Sequence, residues 1–228
     1  MVAVILAGGQ GTRLRPHTDE IPKPLLPVKG KPLIEIILRQ MQKTGVTNVS
    51  LAVNHFSEQI VKTLGDGSRL GIKIEYSHEK KALSTIGPLK LIKSLPENFI
   101  VANSDILTDL DFQSIYETHV KSRAKITVAT HTRRIPIDFG VLTVDDQGIA
   151  TGFQEKPELN LVVSMGIYVF NKSILEFVPD DQPFGFDQLM FTLLDKKIPI
   201  HTFPYSGYWL DIGRPDDYQK ANDDADKI

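Results

Sequence analysis

The chain has no cysteine, a single tryptophan and no apolar run approaching the length of a membrane span. Without cysteine there can be no disulfide, no thiolate zinc site and no thiol nucleophile, and the composition fits a reducing compartment. The six histidines show no metal-ligand spacing, and no G-x-S-x-G nucleophile elbow is present. Nothing in this inventory demands a covalent intermediate. An excess of one charge is missing too: the formal net charge of −2 gives no general attraction to nucleic acid or to an anionic membrane. Any affinity for phosphate must then come from locally placed basic residues, which suits a small ligand. The N-terminal apolar run is too short for a signal peptide and has no basic region ahead of it, so a cytoplasmic protein is expected. Low-complexity segments and internal repeats are also lacking. With 228 residues, 41% hydrophobic and 24% charged, the chain reads as one globular domain over 1–228.

What is present is concentrated at the start. Val2-Ala3-Val4-Ile5-Leu6 runs into Ala7-Gly8-Gly9-Gln10-Gly11-Thr12-Arg13-Leu14-Arg15-Pro16, followed by Pro22-Lys23-Pro24-Leu25. A short apolar run opening into glycines reads as a buried strand delivering a polyphosphate-binding loop, where backbone N–H groups approach an anion closely. Two other glycine motifs are excluded. The dinucleotide fingerprint needs glycine where Leu14 stands, and the P-loop needs a Gly-Lys-Ser/Thr that does not occur at its spacing. Arg13 and Arg15 are permanently charged phosphate donors, and Lys23 is launched from between two prolines that stiffen its support.

Further along, helical spacing over Leu33 to Met41 ends at Gly45, and Val49 to Val53 reads as a strand. A helix at Ser57 to Leu64, a strand at Ile72 to Tyr76, a short helix at Leu89 to Lys93 and a strand at Phe99 to Ala102 follow. Strands alternating with helices predict an α/β fold with a largely parallel sheet covered on both faces. The second half changes character. Asp111 can cap a helix through about Ser122; Ile126 to Thr130, Gly140 to Val144, Ile149 to Phe153 and Gly166 to Phe170 then read as strands of a mixed sheet. A helix from about Asp187 to Leu194, a strand at Ile198 to Phe203 and a last helix opened by Pro215 complete the pattern. The halves divide near residue 110, about 1–110 for a nucleotide and about 111–228 for its co-substrate.

Asp105 directly follows an apolar strand, with Asn103 two residues before it, and such a carboxylate is placed to hold Mg²⁺, which takes few protein ligands. An aspartate there can equally serve a turn. Asp211, in Gly207-Tyr208-Trp209-Leu210-Asp211-Ile212-Gly213, is a second acid that can converge on the same ion. Glu155-Lys156-Pro157 offers a carboxylate for sugar hydroxyls and a lysine for phosphate, or simply a solvated surface turn.

Together these segments resemble the sugar-1-phosphate nucleotidyltransferases, whose L-A-G-G-x-G-T-R-L-x-P…P-K-P-L signature is matched from Leu6 through Leu25. Asn103-Ser104-Asp105, Glu155-Lys156-Pro157, Gly166-Ile167-Tyr168-Val169-Phe170 and the Gly207–Gly213 segment with Pro215 and Tyr218 extend the likeness over nearly the whole chain. The resemblance implies a Rossmann-like three-layer α/β/α fold of the nucleotide-diphospho-sugar transferase type, with a mostly parallel mixed central sheet. It implies Mg²⁺-dependent transfer of a nucleotidyl group from a nucleoside triphosphate to a sugar 1-phosphate. Leu6, Ala7, Gly8, Gly9, Gly11, Thr12, Arg13, Thr85, Gly87 and Asn103 would contact the nucleotide, with Arg13, Lys23 and Asp105 catalytic. Asp105 and Asp211 would hold the metal, and Gly140, Glu155, Lys156 and Gly166 the sugar phosphate. Leu83-Ser84-Thr85-Ile86-Gly87-Pro88-Leu89 departs from the usual L-G-T-A-G-A-L, and Ser104 stands where glycine is common, which leaves the base open. Hexose- or heptose-1-phosphate guanylyltransferase-like members look nearest, with uridylyl, thymidylyl or cytidylyl transfer as the alternative. A sensor without turnover and a dinucleotide oxidoreductase are weaker readings. The sequence expects neither nucleic acid nor membrane as a partner and is compatible with a homo-oligomer.

Overall fold

The computed structural model describes residues 1–54 and 56–224. Its strands are β1 (Val2–Ala7), β2 (Pro27–Val28), β3 (Lys31–Pro32), β4 (Asn48–Val53), β5 (Lys73–His78), β6 (Asn98–Asn103), β7 (Ile106–Thr108), β8 (Ile126–Pro136), β9 (Val141–Val144), β10 (Ala150–Gln154), β11 (Glu158–Asn171), β12 (His201–Pro204) and β13 (Trp209–Asp211). The helices are α1 (Leu33–Lys43), α2 (Ser57–Leu64), α3 (Phe112–Ser122), α4 (Phe186–Asp195) and α5 (Pro215–Asp224). None of the helices among the described residues is long and apolar enough to cross a membrane.

A seven-stranded sheet in the order β12-β8-β11-β6-β1-β4-β5 runs through both halves. β1 pairs in parallel with β4 on one side and β6 on the other, while β11 alone runs antiparallel, against β6 and β8. The alternation along β1 separates the layers: Ala3, Ile5 and Ala7 pack with Ile37 and Met41 of α1, Ile60 of α2 and Ile115 of α3. Val4 faces the other way, toward Leu189 and Leu193 of α4. This is the mostly parallel α/β/α sandwich that the strand–helix alternation predicts. Asp111 caps α3 by accepting from the Gln113 N–H at 3.0 Å.

Three segments differ from the sequence expectation. β8 and β11 run well past Thr130 and before Gly166, because Ile135↔Leu159 and Arg133↔Leu161 pair only with each other beyond the sheet. Their non-local ladder is invisible in local patterning. The strand expected at Ile198 starts at His201; the Ile198 N–H instead donates to Leu193 O at 2.9 Å and closes the end of α4. The short helix expected at Leu89 to Lys93 is a 3₁₀ turn over Gly87–Leu91, where Pro88 occupies the tolerated first turn.

Candidate active site

The carboxyl ends of β1, β4, β5 and β6 meet at the point where the chain, having built outward from β1 through β4 and β5, returns to add β6 on the other side. Such a switch point is where open α/β sheets bind ligands. Leu6 is in register with Asn103, and the Ser104 N–H donates to Leu6 O at 3.2 Å, so the glycine loop and Asn103–Asp105 leave the sheet side by side. A cleft of about 600 Å³ opens there, lined by Leu6, Gly8, Gly9, Gly11, Thr12, Arg13, Lys23, Thr85, Asn103 and Asp105 from the expected set.

Gly11 shapes the loop. Its φ of 65° is left-handed, and a Cβ there would stand 3.0 Å from Thr18 Cγ2 and 3.1 Å from Lys23 Cβ. The loop thus folds back on the Pro22–Pro24 segment, pinned by the Thr18 hydroxyl donating to Gly11 O at 2.8 Å. Buried Leu14 anchors it in a small core with Leu26, Leu107, Leu210 and Ile212. That same core carries β7 and β13, which pair antiparallel with Ile106 opposite Asp211. Asp105 and Asp211, far apart in sequence, are thereby brought to one end of one two-stranded sheet.

Lys23 Nζ makes an ion pair with Asp105 Oδ2. The other oxygen, Asp105 Oδ1, is buried without a hydrogen-bond partner. An orphaned buried carboxylate oxygen is costly in water-free surroundings and suited to an incoming cation. Although Asp211 retains solvent-exposed surface, the protein around it withdraws water and pushes its carboxyl above the usual range; the Asp105 charge adds to this, and Lys23 and Arg13 pull back. Two carboxylates, one oxygen unsatisfied and one acid raised in pKa, fit a hard cation that keeps most of its shell as water and phosphate oxygens. Arg13 reaches the same corner, with Nη1 3.7 Å from where a Cβ on Gly213 would stand.

The remaining expected residues take other places. Ala7 is buried in β1, beneath the cleft. Gly87 packs against Leu83 and Gln182 O, and its N–H donates to Phe184 O at 3.0 Å. Thr85, although it lines the cleft, has its hydroxyl engaged in accepting from the first N–H of α4, at Phe186, at 2.8 Å. Gly166, with φ 71°, lies against Asn103 Nδ2 and forms the irregularity between Ser164 and Tyr168 in β11. Gly140, Glu155 and Lys156 lie on exposed turns between β8 and β11, where a Cβ on Gly140 would stand 3.4 Å from Glu155 Oε2. They do not line the cleft.

Sequence reasoning missed Gln10, Asn54 and Glu79, which do line it. Glu79 follows β5, where its N–H donates to Val53 O at 3.0 Å. Its Oε2 accepts from the Leu83 N–H at 3.0 Å, and its Oε1 stands 2.6 Å from a Cβ position on Gly8. Burial pushes its carboxyl above the usual value. The charged run His78-Glu79-Lys80-Lys81 reads as solvated surface; only the position of Glu79 at a parallel strand's carboxyl end could have flagged it.

A cleft at the switch point of a mostly parallel sheet, with Arg13 and Lys23 on one flank and two acids beside them, is the ligand-site geometry of an open α/β fold. The chain is a member of the nucleotidyl transferase family, whose pattern matches residues 2–227. Among similar proteins, a mannose-1-phosphate guanylyltransferase catalytic subunit beta from Drosophila pseudoobscura pseudoobscura is 35% identical over 95% of this chain and 60% of its own length. A UTP–glucose-1-phosphate uridylyltransferase from Synechocystis is 34% identical over 97% of this chain and 62% of its own. The chain thus spans about three fifths of the length of these relatives. The solved structure of HddC from Yersinia pseudotuberculosis, complexed with GMP-PN, matches with TM-score 0.74 and 26% identity over 98% of this chain and 99% of that one. A Bacillus anthracis structure at TM-score 0.79 and 22% identity supports the fold alone.

Proposed function

We propose that this chain transfers a nucleotidyl group from a nucleoside triphosphate to a sugar 1-phosphate, giving a nucleotide-diphospho-sugar and pyrophosphate. The observation that carries the reading is the corner where Lys23, Asp105 with its orphaned oxygen, and Asp211 converge beside the glycine loop. A sugar-phosphate oxygen bonds to the α-phosphorus in line as the bond to the bridging oxygen breaks, and the electron pair departs with pyrophosphate. The loop N–H groups from Gly8 to Gly11 cradle the triphosphate, Arg13 takes up charge on the departing pyrophosphate, and Lys23 contacts the reacting phosphates. Asp105 and Asp211 would hold Mg²⁺, which when bound templates the reactants and neutralises developing charge. Gly140, Glu155 and Lys156, although on exposed turns outside the cleft, and Gly166 beside Asn103 are assigned to the sugar phosphate by the family resemblance alone.

Glu79 favours GTP. A carboxylate only accepts, and guanine alone offers adjacent N1–H and 2-amino donors, whereas uracil and thymine flank their N–H with carbonyl oxygens. A panel of four triphosphates against several sugar 1-phosphates, scored for pyrophosphate, tests the proposal. Release is expected only with both substrates and Mg²⁺, and Asp105→Ala should abolish it while the protein stays folded. Glu79→Gln should shift the GTP-to-UTP ratio of kcat/KM toward UTP by roughly 5–100-fold, the worth of one bidentate base contact. An unchanged ratio would remove Glu79 from base selection, and no pyrophosphate under any pair would remove the activity.

A further inference from the structure

One wall of the cleft, formed by Ala82, Ser84, Thr85 and Pro88, lies outside the central sheet. It is fastened instead to the segment that leads into α4. Leu83 O accepts from the Phe184 N–H at 3.0 Å, and Phe184 O accepts from the Ile86 and Gly87 N–H groups at 2.9 and 3.0 Å. Lys81 pairs with Asp181 and Lys90 with Asp180, each at 2.8 Å, on the flanks of these bonds. The helix in turn needs the wall. Its N-cap is Gly185, which has no side chain to offer, and the hydroxyl of Thr85, 101 residues earlier in the chain than Phe186, accepts from its first N–H. The wall is also strained: Ser84 holds a left-handed φ of 64°, which a residue with a Cβ adopts only under constraint.

We propose, resting on the nucleotide reading of this cleft, that Thr85 is a positioning residue: by capping α4 it holds the wall in the shape that receives the nucleotide. The entry to α4 then sets nucleotide affinity from outside the cleft, since among the described residues none from Asp180 to Phe186 lines it. First, the brace reaches the group proposed to read the base. The Leu83 N–H donates to Glu79 Oε2 at 3.0 Å while Leu83 O is fixed by Phe184, so that carboxylate is oriented by the residue the approach to α4 holds in place. Second, the strain at Ser84 makes the receptive shape depend on its fastening. When the brace weakens, the loop relaxes in a fraction of the molecules, and apparent affinity falls with the fraction that stays competent.

The test is the dissociation constant for the tighter-bound of GTP and UTP, by titration calorimetry in Mg²⁺ without sugar phosphate, so that nothing turns over. Thr85→Val keeps the shape and removes the acceptor, and should raise the constant about fivefold, the fold-change equivalent of one lost cap. Thr85→Ser should restore it. Gln188 is exposed and outside the cleft, and its side chain accepts from the Gly185 N–H at 2.7 Å. Gln188→Leu should therefore raise the constant too, with the double variant losing less than the product of the two singles. Asp111→Ala, which removes an equivalent cap from α3, should leave it unchanged. A Thr85→Val constant equal to wild type, a loss that Gln188→Leu does not share, or an equal rise in Asp111→Ala would overturn the proposal. A wild type that binds neither triphosphate would overturn the nucleotide reading itself, and this role of Thr85 with it.

Discussion

Replacing Lys23 by Met keeps the stem that packs on Gly11 and removes only the charge. In the wild type the Lys23 and Asp105 side chains are 11% and 20% exposed, so their ion pair is far from a screened surface contact. Its loss leaves Asp105 uncompensated beside Asp211, whose carboxyl burial and the Asp105 charge already push upward. Removing one partner of a buried pair costs about 3–5 kcal/mol, and discounting for the residual exposure leaves about 2–3 kcal/mol here. For a chain of this size that corresponds to a fall in Tm of roughly 5–10 °C. In chelator at neutral pH, calorimetry should show that fall. Lys23→Met with Asp105→Asn should recover most of it, since no unpaired charge remains. Acid should also narrow the deficit. A carboxyl raised in the folded state contributes its stability fully below its unfolded pKa and loses it as pH rises through the folded one, so the variant approaches wild type as pH falls toward the ordinary aspartate value. Millimolar Mg²⁺ should restore stability too, by supplying the missing positive charge. A variant that melts with the wild type in chelator, or one that Mg²⁺ does not rescue, would refute the reasoning that this corner stores unsatisfied negative charge for a cation.

Asp211→Asn should stabilise the metal-free protein at neutral pH, with the gain vanishing as pH falls toward 4, and should abolish the Mg²⁺-dependent rise in Tm, which for the wild type is worth about 2.7 kcal/mol at a hundredfold excess over Kd; thermal melts with and without the ion check both. Gly166→Ala forces a left-handed φ on alanine and a Cβ to 2.7 Å from Asn103 Nδ2, so urea denaturation should show a loss of about 2–4 kcal/mol and turnover should fall with it, Asn103 being two residues from Asp105. Burial holds the His119 imidazole neutral down to about 4, its Nδ1 2.9 Å from Thr127 Oγ1 and its Nε2 donating to Asn98 Oδ1 at 3.2 Å. With the folded pKa below the unfolded one, stability is full above about 6.5 and is lost as pH falls toward 4, by about 3 kcal/mol; His119→Gln should flatten that limb of a pH series of urea melts.

The N-terminal half of the fold was legible because its signals are local. Val2 to Leu6, Val49 to Val53 and Phe99 to Ala102 are apolar runs bounded by polar punctuation, and α1 declares itself by spacing. The ends of those strands then follow from the rule for parallel sheets, which is why the loop from Gly8 to Gly11 and the Asn103–Asp105 segment could be expected at one crevice. The outer ladder of β8 and β11 was only partly legible. Leu159, Leu161 and Val163 alternate as a strand should, but their ladder partners lie more than twenty residues away across the β9–β10 hairpin, and pairing at that distance leaves no local mark. Asp211 shows the same limit from the other side. Its segment reads as a strand, yet its meeting with Asp105 depends on the β7–β13 pairing and on the core of Leu14, Leu107, Leu210 and Ile212 that holds it.

That core explains why the two ends of the chain must be folded together before the site exists. Leu14 belongs to the glycine loop, Leu107 to the strand after Asp105, and Leu210 and Ile212 flank Asp211. One buried cluster therefore sets the positions of the glycine loop and of both acids. A cavity made there should misplace all three at once, whereas an equal cavity in the α4 layer, around Leu189 or Leu193, should cost stability and spare their geometry. Leu210→Ala and Leu193→Ala each remove a buried leucine worth about 2–5 kcal/mol. If both lose similar stability but only Leu210→Ala loses Mg²⁺-dependent stabilisation, the acids are positioned by this core. Equal loss in both would mean that the cation site merely follows global stability.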